Sequence, residues 1–177
     1  MVAAIIALIA TITGAFLGSL IAEDYRRFRD AQGTAASLSG ELSSYVEGGQ
    51  EMLRLLGLMK EATEAGTVLP FKEFEPPKDI LYEAQAKNLG LLGADMAKDV
   101  AYVYQRINGF RTGYAILTRA HKELKPNEVA SSLAACERMI KASQDRAARL
   151  LRNLDSLAAA EYEWPRLPRV KRKSVDH

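Results

Sequence analysis

The hydrophobic pattern of this chain changes character once, near residue 22. From Val2 to Ala22 there are 21 consecutive residues without a charge, rich in Ile, Leu and Ala and apolar on every face. A helix of that length covers roughly 30 Å, the hydrocarbon thickness of a bilayer. A soluble helix would keep a polar face over six turns. Beyond Glu23 the apolar positions narrow to a stripe: Phe28, Ala31, Ala35, Leu38, Leu42, Tyr45, Gly49, Met52, Leu56 and Met59. Their steps alternate three and four, the repeat of helices that pack along their length. The same phase runs back through Ala7, Ala10 and Gly14, so the two stretches are expected to form one rod. Gly33, Gly40, Gly48 and Gly57 each weaken a helix interior by up to ~1 kcal/mol, which makes Gly33 the weak point of that rod and the place for a break if there is one.

Prolines punctuate the rest. Pro70, Pro76 and Pro77 mark a loop, Pro126 a tight turn, and Pro165 and Pro168 the end of the last helical pattern. The loop from Gly66 to Asp79 carries Val68, Leu69, Phe71 and Phe74, too apolar for a solvated linker and suited to covering the far end of a bundle. The next segment, about Asp79 to Leu124, places Leu89, Leu92, Met96, Val100, Val103, Ile107, Phe110, Tyr114, Leu117 and His121 on one stripe. The third places Leu133, Cys136, Ile140, Ser143, Ala147, Leu150, Leu154 and Leu157 on another, opening near Lys125 or Asn127 with Glu128 in its first turn. No period-two alternation occurs. The pattern therefore predicts an all-α chain with no sheet: a single transmembrane helix continuing into a long antiparallel three-helix bundle, its helices roughly 35 to 45 residues long. The expected divisions are 1–22 anchor, 23–65 first long helix, 66–78 distal loop, 79–163 helical hairpin and 164–177 basic tail.

Composition narrows the picture slightly. Hydrophobic residues make up 48% of the chain but aromatics only 7%, a mix that favours helices. The single cysteine, Cys136, excludes an intramolecular disulfide. Charge changes more. The net charge is only +2, yet Arg166, Arg169, Lys171, Arg172 and Lys173 stand against Asp176 alone in the last fourteen residues, so the rest of the chain is net negative.

The basic residues also orient the span. Arg26, Arg27 and Arg29 come directly after it and none precedes it, which places the N-terminus outside and the remainder in the cytoplasm, at a cell's inner (plasma) membrane. A cleaved secretory signal would need a basic residue before the apolar run. If the three helices go out, back and out again, the turn holding Arg119, Lys122 and Lys125 returns to the bilayer beside Arg26, Arg27 and Arg29, forming a basic collar on anionic headgroups. The tail then lies far from the membrane, where its five cations suit an acidic protein or a weak nucleic-acid contact better than lipid.

Within the span Ala7, Ala10, Gly14, Gly18 and Ala22, with Ala3, share one side, a smooth face that lets a second helix approach closely. Homo-oligomerisation through that face is expected. Candidate chemistry is sparse. His121 and His177 fall in neither an HxxxH nor an ExxH spacing, and nucleophile elbows, phosphate loops and Cys–His pairs are missing. Arg172 and His177, with four residues between them, match a spacing seen in helical ribonucleases, but their segment has prolines and no apolar stripe to aim them. No catalytic residue, cofactor or metal is expected. The function read from sequence is a non-catalytic, membrane-anchored helical protein whose partners are lipid, further copies of itself and an unidentified protein. One alternative is an oligomeric pore or membrane-perturbing effector, with Thr11, Thr13 and Ser19 as its only lining hydroxyls. The other is a spanin-like envelope protein with the bundle outside.

Overall fold

A computed structural model describes residues 2–67, 69–72, 75 and 78–164, and all regular structure among them is helical. Helix α1, Val2–Glu64, is continuous for 63 residues, a rod of roughly 95 Å. The rod does not break at Gly33. Phe28, Ala31, Gln32, Thr34 and Ala35 are all buried around it, and tertiary packing of that kind outweighs one glycine's propensity. Residues 2–20, in contrast, are exposed throughout. The N-terminal part of α1 is long and apolar enough to cross a membrane, and none of its most apolar stretch is buried in the protein.

After α1 the chain does not make one long second helix. A short helix α2 spans Ile80–Gln85, and a 3₁₀ helix covers Ala86–Leu92. Gly93, at φ 84°, then reverses the chain into α3, Ala94–Ala120, a conformation open to glycine and rarely to other residues. Helix α4 covers Pro126–Ala158, with Pro126 in its first turn and the Lys125 backbone N–H donating to the Glu128 carboxylate at 2.8 Å. Helix α1 runs the length expected of anchor and first helix together, while α3 and α4, at 27 and 33 residues, are shorter than expected.

The order of contacts fixes where each part lies. Gln32 meets Ala158 and Ala160, Ser39 meets Asp155, and Leu56 clusters with Leu133 and Val129, so numbers fall along α4 as they rise along α1. Along α3 they rise together: Tyr104 reaches Glu41, Arg111 reaches Tyr45, and Leu117 clusters with Leu56. The return leg thus includes α2 and the 3₁₀ helix. Two core clusters result, one around Leu38, Leu42, Val100, Tyr104, Leu150 and Leu154, the other around Leu56, Leu117, Val129, Leu133 and Cys136. Burial of each such leucine stabilises by about 1.5–3 kcal/mol relative to an exposed one.

Candidate functional site

Three features carry the polar chemistry of the described residues. The first is a buried ion pair. Arg111 of α3 donates through Nη1 to both carboxylate oxygens of Asp79, at 2.8 and 2.9 Å, and the two side chains are only 8% and 7% exposed. The Tyr45 hydroxyl donates to the same carboxylate at 2.8 Å, and the guanidinium lies 4.9 Å over the Tyr45 ring. Burial works against the charge of Arg111, but Asp79 and Tyr45 more than offset it, so its pKa is raised. Burial, then the Asp79 carboxylate, pushes the Tyr45 phenol up.

Asp79 precedes α2 and, as its N-cap, would ordinarily satisfy that helix's free N–H groups. Its carboxylate is occupied by Arg111, so it makes no cap bond. Glu41, forty residues earlier, takes over: it accepts from the backbone N–H of Leu81 at 3.1 Å and of Tyr82 at 3.0 Å, and from the Tyr104 hydroxyl at 2.8 Å. Burial and this carboxylate raise the Tyr104 pKa well above the usual phenol range. The Tyr82 and Tyr104 rings stack 4.1 Å apart. Among the described residues, every fully buried side-chain nitrogen and oxygen has a partner. A network so satisfied holds α2 against α1 and α3. Beside it, Val46, Gly49, Ile107, Phe110, Ile140 and Ala147 line a hollow of about 380 Å³ between α1, α3 and α4, within the size range of small-ligand pockets.

The second feature is the join between apolar span and helical body. Tyr162, after α4, donates to Asp24 Oδ2 at 3.0 Å and comes within 3.5 Å of the Ile21 carbonyl. Its ring meets Tyr25 edge-on at 5.0 Å and Phe28 at 5.5 Å. Gln32 caps the end of α4 by donating to the carbonyls of Ala158 and Ala160 at 3.0 and 2.7 Å. Residues 158–162 are therefore fastened to residues 21–32 of α1. Trp164 stands 52% exposed next to this join.

The third feature is the basic residues themselves, which the structure separates. Arg26 and Arg27 pair with Glu23 at 2.6 and 3.2 Å, and Arg29 donates to Gln32 at 2.9 Å, all at the join. Lys122 and Lys125 belong to the α3–α4 turn, which packs at the opposite end, where Phe71 meets His121 at 4.9 Å and Lys122 shares a hollow with Thr63 and Gly66. Arg119, in the last turn of α3, lies there too. Some 34 residues of α1, roughly 50 Å, lie between Arg29 and Thr63, so no single collar forms. The expectation failed because the return leg is not a full-length helix; α3 runs outward, and its turn ends up distal. The same correction places the end of α4 and Tyr162 at the join and not at the far end. Arg166, Arg169, Lys171, Arg172 and Lys173 lie outside the described residues, as does His177.

In the span, Ala7, Ala10, Gly14, Gly18 and Ala22 are exposed, and a Cβ added at Gly14 or Gly18 would meet nothing within 4 Å. The Thr11 hydroxyl donates to the Ala7 carbonyl at 2.9 Å and that of Ser19 to the Phe16 carbonyl at 2.8 Å, so each donor is used within its own helix. Sequence reasoning missed the network of Glu41, Tyr45, Asp79, Tyr104 and Arg111. The one available signal was the pair of off-stripe polar residues, Asp79 before a helix and Arg111 beside Phe110. Comparison with protein families, with curated proteins and with solved structures gives no match to this chain.

Proposed function

We propose that this chain is a single-pass membrane protein without catalytic activity, whose three main helices form a cytoplasmic bundle that works through protein–protein contacts and self-assembly. The observation that carries the reading is the division within one unbroken helix: residues 2–20 of α1 are apolar and wholly exposed, while Phe28 to Leu42 of the same helix supply the core. An apolar rod left bare by its own protein needs lipid or another apolar surface around it. Arg26, Arg27 and Arg29 favour the cytoplasmic side for the bundle, and the bare face of Ala7, Ala10, Gly14 and Gly18 suits close helix association in lipid.

A reporter fused after His177 tests orientation: activity of a cytoplasmic reporter is expected, and activity of a periplasmic one would instead support the spanin-like reading. Self-assembly is tested by crosslinking in membranes with dye leakage measured alongside. Oligomers without leakage are expected, because Thr11, Thr13 and Ser19 are the only hydroxyls in an otherwise apolar stretch, too few to make a wet pore wall.

A further inference from the structure

We infer that the hollow between α1, α3 and α4 is a binding site for one small, uncharged, mostly apolar molecule, of the size of two fused rings with a single polar group. This goes beyond the membrane reading and does not depend on it. The hollow exists because the three helices do not approach one another equally. Gly109 and Gly113 let α3 lie close on α4: a Cβ added to them would stand 3.4 Å from Met139 Sδ and 3.6 Å from Cys136 Sγ. Helix α1 packs on α4 as well, but no Cα atom of α3 lies within 8 Å of one in α1. Those two helices are bridged by side chains on either side of the gap. Tyr104 with Glu41 and Arg111 with Tyr45 close one side, and the cluster of Leu56 and Leu117 closes the other. Between these levels α1 presents Gly48 and Gly49, which leave the space unfilled.

The lining decides what fits. Val46, Ile107, Phe110, Ile140 and Ala147 give it hydrocarbon walls. Polar side chains within those walls are committed to the protein: Tyr45 and Arg111 bind Asp79, and Ser143 Oγ donates to the Ile140 carbonyl at 2.9 Å. A polar group pushed inside would lose its water and gain little in return. Water against such walls forgoes hydrogen bonds, so an apolar body displaces it favourably. The charged and amide groups of the lining are the exposed Gln50, Arg106 and Asp145 and the half-buried Gln144, which form its mouth. One cation against one anion leaves no net charge there, so the mouth complements a neutral end, to which the two amides offer donors and acceptors. Size follows from volume. A cavity of roughly 150 Å³ takes one benzene ring, and this one, at about 380 Å³, has room for two.

The probe is β-naphthol, measured by equilibrium dialysis against the full-length protein in phosphatidylcholine nanodiscs, with uptake by empty discs subtracted. A chain that stays out of discs is dialysed in buffer, so the result does not turn on the membrane reading. Saturable binding of one molecule per chain is expected, and about tenfold weaker binding of β-naphthoate and of the β-naphthylmethylammonium ion. Gly49→Leu grows a side chain from the wall, its Cβ 3.9 Å from Ile140 Cγ2, and should weaken β-naphthol binding by about tenfold or more. Val46→Phe fills the same space from one turn away and should act alike. Gly40→Leu makes the identical change on the exposed side of α1, with nothing within 4 Å of the added Cβ, and should leave binding as it was. Folding is followed through Cys136, the only cysteine and a buried one. The temperature at which it reacts with a thiol dye marks unfolding, and β-naphthol should raise it in the wild type and not in Gly49→Leu. The inference is overturned by uptake no greater than that of empty discs, or by a charged analogue binding as tightly as β-naphthol. It is equally overturned if a filled variant that folds binds like the wild type, or if Gly40→Leu weakens binding as much as Gly49→Leu.

Discussion

Asp79 and Arg111 show how a residue's neighbours decide what its loss costs. Both are nearly sealed from solvent and each satisfies the other. Asp79→Ala leaves a buried guanidinium unpaired, and a loss of about 3–5 kcal/mol is expected in denaturant unfolding of the detergent-solubilised chain. Adding Arg111→Met to that variant should restore much of the stability, because an apolar replacement removes the stranded charge. The tyrosines make a prediction in pH. Burial raises the pKa of Tyr104 and Tyr45 above the free value of 10.0. The stability they contribute is thus fully present below pH 10 and lost as pH rises through their folded values. Phenolate absorbance should accordingly lag behind that of exposed tyrosines and appear together with alkaline unfolding. Tyr104→Phe is expected to cost about 1.5–3 kcal/mol at neutral pH, through the lost bond to Glu41, and to flatten the alkaline slope. Cys136 is buried, which pushes its thiol pKa up, so slow reaction with thiol reagents is expected until the protein unfolds.

At the scale of elements, α1 is held straight by what packs on it and not by its own preferences. Gly33 and Gly40 lie in its interior with nothing within 4 Å of an added Cβ. Alanine at each should stabilise by about 0.5–1 kcal/mol, read as a higher melting temperature. Gly66 is the contrasting case: at φ 82°, Gly66→Ala should destabilise by about 1–2 kcal/mol. The helical stripes were legible residue by residue. Phe28 to Met59, Val100 to His121 and Leu133 to Leu157 are buried or half-buried as their spacing predicts. Direction was not legible. The stripe of Leu89 and Leu92 continues in phase into Val100, but Gly90 and Gly93 divide it, and a turn of positive φ between two in-phase stretches leaves periodicity unchanged while reversing the chain. That single misreading moved Arg119, Lys122 and Lys125 to the wrong end. The polar network escaped for a different reason: Glu41 caps a helix forty residues away, and long-range side-chain capping leaves no local pattern.

For the molecule as a whole, the core is complete without residues 2–20, all of which are exposed. A chain lacking residues 1–22 should keep its helical circular dichroism and its melting transition, and should no longer be retained by carbonate-washed membranes. Retention of Asp24 in that fragment matters, because Tyr162 is anchored there. The unbroken course of α1 from Val2 to Glu64 has a mechanical consequence. With its apolar part in a bilayer, the helix has no joint at the surface, so bundle and span move as one lever. The arm from Arg26 to Glu64 is roughly 57 Å long, and a tilt of about 20°, ordinary for a span fitting itself to bilayer thickness, sweeps its tip sideways by roughly 20 Å. Small changes in membrane thickness would be magnified at the end where Phe71 and His121 meet, which makes that tip the natural place to look for whatever the protein touches.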